Sequence, residues 1–398
     1  MTNAIDGATE FAEWFSLKPG RFNFEINPER DPRDQQFLFG REDWKGNLHQ
    51  LLETCLLLRQ PVRLVLWGQY GIGKTHRIYY LKHHIQEKGL RIQPVYVVCR
   101  DINEKSTFGR LHFDLVNNVG REFFTECAEE YWRQVRTGAA GFAPLGELCP
   151  NADIVRAVDK LGLPKDSKKP AEVAAAWKFL TGLELDVEEQ LRIDVTADQI
   201  ESSTEYAGVL KLLGHVIFKT RGLHLMYLVD QVEALSRPSN KPAEVVWVET
   251  LRAILDLPEV GLVVAIGADH MDQLPRIMTK PEIVRRFRLS NYVQMAAYKR
   301  GDTTSFISGL LQEWTDGERR DALAKKHGWD EKVYKPECYP FTFDAFDVFC
   351  RHFSDEFDPN HAKPSEIIDR LNRVAVHAFR DKKPLIDKAV LEQNGITV

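Results

Sequence analysis

The stretch Pro61–Leu81, PVRLVLWGQYGIGKTHRIYYL, constrains the fold more than any other part of the chain. An apolar, β-branched run reads as a buried strand from Val62 to Trp67. Gly68-Gln69-Tyr70-Gly71-Ile72-Gly73-Lys74-Thr75 follows, a complete G-x-x-x-x-G-K-[ST] phosphate loop, and a helix opens near Lys74. The glycines let successive N–H groups curl around one anion-sized hollow. The helix aims its positive N-terminal end at the same hollow. In such a loop Lys74 reaches the β- and γ-phosphates and the Thr75 hydroxyl holds a magnesium ion. A strand before the loop and a helix after it are the context that separates this reading from a plain glycine turn.

Around this unit the chain follows an α/β rhythm. The chain has 398 residues, enough for two or three domain-sized units. A helix-period stretch carries Trp44, Leu48, Leu51, Leu52, Cys55 and Leu58 on one face before the loop. Further strands are expected at 93–99, 223–230, 261–268 and 292–298, and a helix over 106–118. Residues 27–36, NPERDPRDQQ, read as an exposed linker. From about 120 to 200 the pattern loosens into an inserted helical region with helices at 152–162 and 170–181, the second opening on Pro170. A stronger amphipathic helix spans 203–219 and stops at Gly222. Residues 301–380 read as helical, with a polar excursion at 315–340.

Hydrolysis at a phosphate loop needs more than the loop: an acid for the magnesium, a group to orient water and positive charge for the transition state. Asp230 ends the strand Leu223–Val229, where a magnesium-orienting acid is expected. The next residue is Gln231, which can orient water but is a very poor base. Glu233 would lie on the same side of an extended chain as Gln231, and is read as either a substitute base or a structural acid. Asp269 and His270 follow the next strand, as γ-phosphate readers or as ordinary loop residues. Arg285-Arg286-Phe287-Arg288 precedes the last strand, either as a cation reaching a neighbouring subunit's nucleotide, with Arg286 first, or as a solvated or nucleic-acid-facing edge.

Composition limits the partners. A formal net charge of −5 excludes a wholesale nucleic-acid coat but permits local basic patches, at Lys165/Lys168/Lys169, Arg285/Arg286/Arg288, Lys299/Arg300 and Arg319/Arg320. Six scattered cysteines without a C-x-x-C pair fit reduced thiols. No apolar run approaches the roughly 18 residues of a membrane span, and the first residues lack a signal-peptide pattern, so a cytoplasmic protein without a membrane partner is expected.

The order of parts resembles an AAA+ ATPase of the initiator clade, which includes origin-recognition and signal-transducing ATPases. Phe39-Gly40-Arg41-Glu42 matches the clade's entry motif, Gly68–Thr75 its phosphate loop and Leu228–Leu235 its acidic strand end, while Arg285-Arg286-Phe287 stands at its arginine finger. Shorter strings, Ala176–Gly182 and Gly73-Lys74-Thr75-His76, resemble ATP-binding proteins of BREX-type phage defence. The resemblance implies an AAA+ (ASCE) P-loop core with a parallel sheet, a helical insertion and a C-terminal α-helical lid, divided as 1–36, 37–300 and 301–398. It implies ATP and Mg2+ as cofactors, with Phe39, Gly40, Arg41, His76 and Asp269 joining the loop around the nucleotide. It also implies a homo-oligomer in which Arg286 acts across the subunit interface. An effector protein and DNA are expected partners, in phage defence or mobile-element processing. The alternative is a slow-hydrolysing nucleotide switch. Two departures stand out: Gln231 replaces the usual glutamate, and Ser365 occupies the place of the second sensor arginine, which Lys363 or Arg370 could replace.

Overall fold

A computed structural model describes residues 2–99, 108–167, 169–233, 241–330, 332–356, 358 and 362–397. Among these residues five strands form one sheet: β1 (Arg63–Gly68), β2 (Ile92–Val98), β3 (His224–Asp230), β4 (Val260–Gly267) and β5 (Tyr292–Met295). Their order is β2-β3-β4-β1-β5, and β1/β4, β3/β4 and β2/β3 pair in parallel. β1, β3 and β4 are near-continuous apolar runs because parallel strands are covered on both faces. The register pairs Gly68 with Gly267 and Val98 with Asp230, so these strand ends share the carboxyl edge, where open α/β sheets place ligands. β4 separates the loop-bearing β1 from the acid-bearing β3. The α/β class with a parallel sheet is as expected, and β5 stops three residues before the expected end at Tyr298.

Two compact units divide the chain. One comprises 48–68 and 81–294, the other 1–47, 69–80 and 295–398. These cuts differ from the expected ones: the N-terminal residues group with the C-terminal helices, not with the sheet. Each unit has its own apolar core.

In the sheet unit the inserted region is helical. Ala152–Gly162 and Pro170–Leu180 form as expected, the first capped by the Asn151 side chain, the second started by proline. Helix Ser203–Arg221 opens on a Ser202/Glu205 capping box and ends with Gly222 in the left-handed conformation. The helix expected over 106–118 is described from Gly109 to Asn117; Arg100 and Asp101, the polar residues expected at the carboxyl edge after the second strand, lie outside the described residues.

In the other unit, Phe11 and Trp14 of helix Thr2–Trp14 meet Phe379 edge-on, at 5.7 and 5.8 Å. The 27–36 segment is not an exposed linker. Asp34 is 1% exposed and pairs at 2.6 Å with Arg21, whose guanidinium stacks over Trp314. A buried charge needs such a partner, and a polar sequence alone does not reveal one 13 residues away.

Candidate functional site

The phosphate loop follows β1 directly and opens helix Lys74–Glu87. Gly71 and Gly73 have φ of +77° and +89°, a region that side chains resist. A Cβ at Gly71 would also stand 2.1 Å from the Ser365 hydroxyl oxygen. Ser365 lies in the first turn of helix Pro364–Arg380, and its N–H donates to the Gly71 carbonyl at 3.3 Å. The position of the expected second sensor thus brings backbone to the loop. Arg370 pairs instead with Glu366 along its own helix.

Arg77 holds the loop from the inside. It is 3% exposed, and its guanidinium donates to the carbonyls of Ile72 at 3.1 Å and Gly73 at 3.5 Å, while lying over the Trp44 ring. In a trans peptide the C=O and the following N–H point opposite ways. Fixing the Ile72 and Gly73 carbonyls on Arg77 therefore turns the Gly73 and Lys74 N–H groups away from it. These are two of the donors that a phosphate cradle needs. The buried guanidinium adds positive charge behind the same loop. Lys74, 8% exposed, donates to the Gln69 carbonyl at 2.8 Å and lies 5.3 Å from the centre of the exposed Tyr70 ring. Its ammonium is held within the loop, and Thr75 stands one residue on in the helix's first turn.

The remaining expected nucleotide contacts in this unit have structural duties. His76 donates from Nε2 to the Phe37 carbonyl, and burial lowers its pKa, so the ring is neutral. Phe39 stacks on Phe37 at 5.5 Å and lies against Gly309, where a Cβ would be 2.4 Å away. Gly40, at φ +60°, brings the chain within 2.7 Å, measured to its virtual Cβ, of the Asp302 carbonyl. Arg41 donates to the carbonyls of Ala296 and Ala297 and lies over Tyr298. The entry motif thus clamps the entering chain to the C-terminal helices.

At the carboxyl edge of the sheet, Asp230 is 2% exposed. The Tyr96 hydroxyl donates to it at 3.4 Å and the Gln231 N–H at 2.8 Å. Gln231 is exposed with φ +59°, so the chain turns there and does not continue as a strand. This corrects the extended geometry expected for Gln231 and Glu233. The Glu233 carboxylate instead accepts the Gly267 N–H, at the end of β4, at 2.8 Å. That bond ties the acid strand's exit to its neighbour. Ala234 and Leu235 lie outside the described residues. Asp269 and His270 are both exposed, and the Asp269 N–H donates to the Gln273 side chain.

The arginine cluster sorts into one bound and two unbound groups. Arg286 makes a bidentate pair with Asp256, at 2.7 and 2.8 Å, and donates to the Glu282 carbonyl. Its guanidinium holds the Asp256 carboxyl below the usual range. Arg285 and Arg288 are exposed, and their side chains have no ion pair or hydrogen bond among the described residues. Elsewhere Arg300 pairs with Asp347, Arg319 with Asp316 and Arg320 with Asp321, so much of the expected basic surface is neutralised. Lys168 lies outside the described residues.

Arg77 was missed by sequence reasoning, because an arginine one turn into a helix ordinarily reads as solvated. Its spacing was the available signal: four residues after Gly73, it faces back onto the loop.

Among the described residues no helix is long and apolar enough to cross a membrane, and no group of three or more His, Cys, Asp or Glu could hold a metal. Magnesium at a phosphate loop needs no such group, since one or two protein oxygens plus phosphate suffice. In the loop, the Thr75 hydroxyl is a hard oxygen donor of the type that fits it.

No protein-family model and no curated protein matches the chain. Solved structures with similar folds include the Aeropyrum pernix ORC2 protein in ADPNP–ADP complexes, at 13% identity and TM-score 0.48, covering 95% of this chain and 71% of that one. The Aeropyrum pernix ORC1 protein in complex with DNA gives 13% and 0.44, with 90% of this chain spanning 65% of that one. The Thermotoga maritima RuvB Holliday junction branch migration motor gives 12% and 0.38, covering 89% and 68%. At such identities, and with TM-scores below 0.5, what these proteins bind does not transfer to this chain.

Proposed function

We propose that the chain binds Mg2+–ATP through an AAA+-type phosphate loop and hydrolyses it slowly, so that the bound nucleotide acts mainly as a conformational signal. The observation that carries the binding half is the loop itself, with Arg77 turning the Gly73 and Lys74 N–H groups outward. In this reading Gly68–Thr75 surround the phosphates, Lys74 meets their β- and γ-oxygens, and Thr75 with Asp230 serves the metal. When bound, the ion neutralises charge on the β- and γ-oxygens. Phe39, Gly40, Arg41 and His76 shape the unit around the loop, and Asp269 is a candidate γ-phosphate reader.

Slow turnover follows from the groups after Asp230. Gln231 can orient water but does not take its proton, and Glu233 is occupied with Gly267. For the positive charge that a second subunit would supply, Arg285 is the better candidate, because Arg286 is held by Asp256 within its own chain. The wider setting of this proposal is a homo-oligomer that assembles with an effector protein, on DNA, in phage defence or mobile-element processing, with Arg285 and Arg288, unpaired among the described residues, as available cations. Measuring turnover and affinity together tests it. Tight Mg2+–ATP binding with turnover close to that of Lys74→Ala supports the slow switch. Fast turnover at a concentration where the protein is monomeric counts against both the slow step and the shared site.

A further inference from the structure

The inserted helices line a cleft of about 220 Å³ that is partly open to solvent, between helix Arg121–Arg136, helix Ala152–Gly162 and helix Ser203–Arg221, with Asp159 half-buried in its wall. Tyr131, Trp132, Val135, Val155 and Val216 give it an aromatic and aliphatic wall. Asp159 is the sole charged group in its lining and makes no hydrogen bond or ion pair among the described residues. Burial pushes its carboxyl up to about 6, with no neighbouring charge contributing, so at neutral pH the cavity holds an ionised acid without a counter-ion. Such a charge in apolar surroundings is costly unless it is paired. The other polar tip in the wall is already satisfied: the Tyr131 hydroxyl donates to the Ala143 carbonyl at 2.8 Å. Trp132 shows the character of its ring by carrying the Arg136 guanidinium at 4.5 Å.

We propose that this cavity is a binding site for an alkylammonium group, whose charge pairs with Asp159 while its methylene stem packs against Tyr131, Trp132 and the valines. The size suits it, since a cavity of about 150 Å³ already accepts benzene. An aromatic wall beside a carboxylate is the environment in which a desolvated organic cation gains from both the ion pair and the ring faces. The group arrives either as a free small amine or on a lysine side chain. The site belongs to the sheet unit alone and does not depend on the nucleotide reading.

The test is a titration of the full chain, labelled with 13C-carboxyl aspartate, in which the Asp159 resonance is assigned by its loss in Asp159→Asn. The probes are n-butylammonium and the neutral n-butanol, which match in shape. The expected result is n-butylammonium binding at least ten-fold tighter than n-butanol to the wild type. In Asp159→Asn, followed through the Trp132 ring protons, the two should bind alike. Equal binding of the two probes to the wild type, or a preference that survives in Asp159→Asn, overturns the proposal. If Asp159→Asn does not fold, Trp132→Leu should weaken n-butylammonium at least three-fold, and an unchanged affinity is equally fatal. Nα-acetyl-lysine methylamide separates the sources: binding assigns the site to a lysine side chain, and exclusion assigns it to a free amine.

Discussion

The proposed chemistry turns on three side chains. Arg77 gives the phosphate loop its shape by holding two carbonyls, and a hydrogen bond from a charged donor contributes about 1.5–3 kcal/mol. Arg77→Met should therefore weaken ATP binding by roughly ten- to a hundred-fold in a calorimetric titration, with Arg77→Lys recovering part of it. Equal affinity in all three proteins would remove the loop-holding role. In the proposed reading Gln231 occupies the place of a base. Gln231→Glu should raise steady-state phosphate release at least ten-fold, because a carboxylate can accept the proton that an amide cannot. Asp159 carries a stability signature. Its folded pKa of about 6 lies above the ordinary value of 3.8, so the folded state binds the extra proton between those values. Stability from this group is present at low pH and lost as pH rises towards 6. Asp159→Asn should remove that slope and stabilise the protein at pH 7 by about 1 kcal/mol after allowance for partial exposure. Urea titrations at pH 4 and pH 7 would measure it.

Local elements were largely legible, because their signals are local. Helices Ala152–Gly162 and Pro170–Leu180 form where they were expected, the second from its first-turn Pro170, and Ser203–Arg221 ends as expected at Gly222, while the Asn151 cap of the first appears only in the structure. The Ser202/Glu205 capping box accounts for where the last of these begins, and Ser202→Ala should cost about 1 kcal/mol in a denaturant titration while leaving ATP affinity alone. Non-local partners defeated sequence reasoning. The fate of Glu233 depends on Gly267 from another strand, and that of Arg286 on Asp256, the residue that follows helix Lys241–Leu255. The 27–36 segment looked like a linker because its one buried acid, Asp34, finds its counter-ion outside the segment. A run of polar residues carries no mark of such a partner.

At the scale of the molecule, the α/β class and parallel sheet could be read from the strand pattern, whereas the strand order and the division into units could not. Residues 1–47 group with 295–398 through aromatic packing such as Phe11 and Trp14 on Phe379, which joins chain ends that periodicity treats separately. A chain built around a phosphate loop should be stabilised by the ligand it binds, because ligand that binds only the folded state adds RT ln(1 + [L]/Kd). The most direct measurement is calorimetric titration of ATP, with and without Mg2+, into the wild type and Lys74→Ala. Magnesium-dependent binding to the wild type, with the affinity lost in Lys74→Ala, is the predicted result. Absence of binding to the wild type, or equal binding to both proteins, would contradict it.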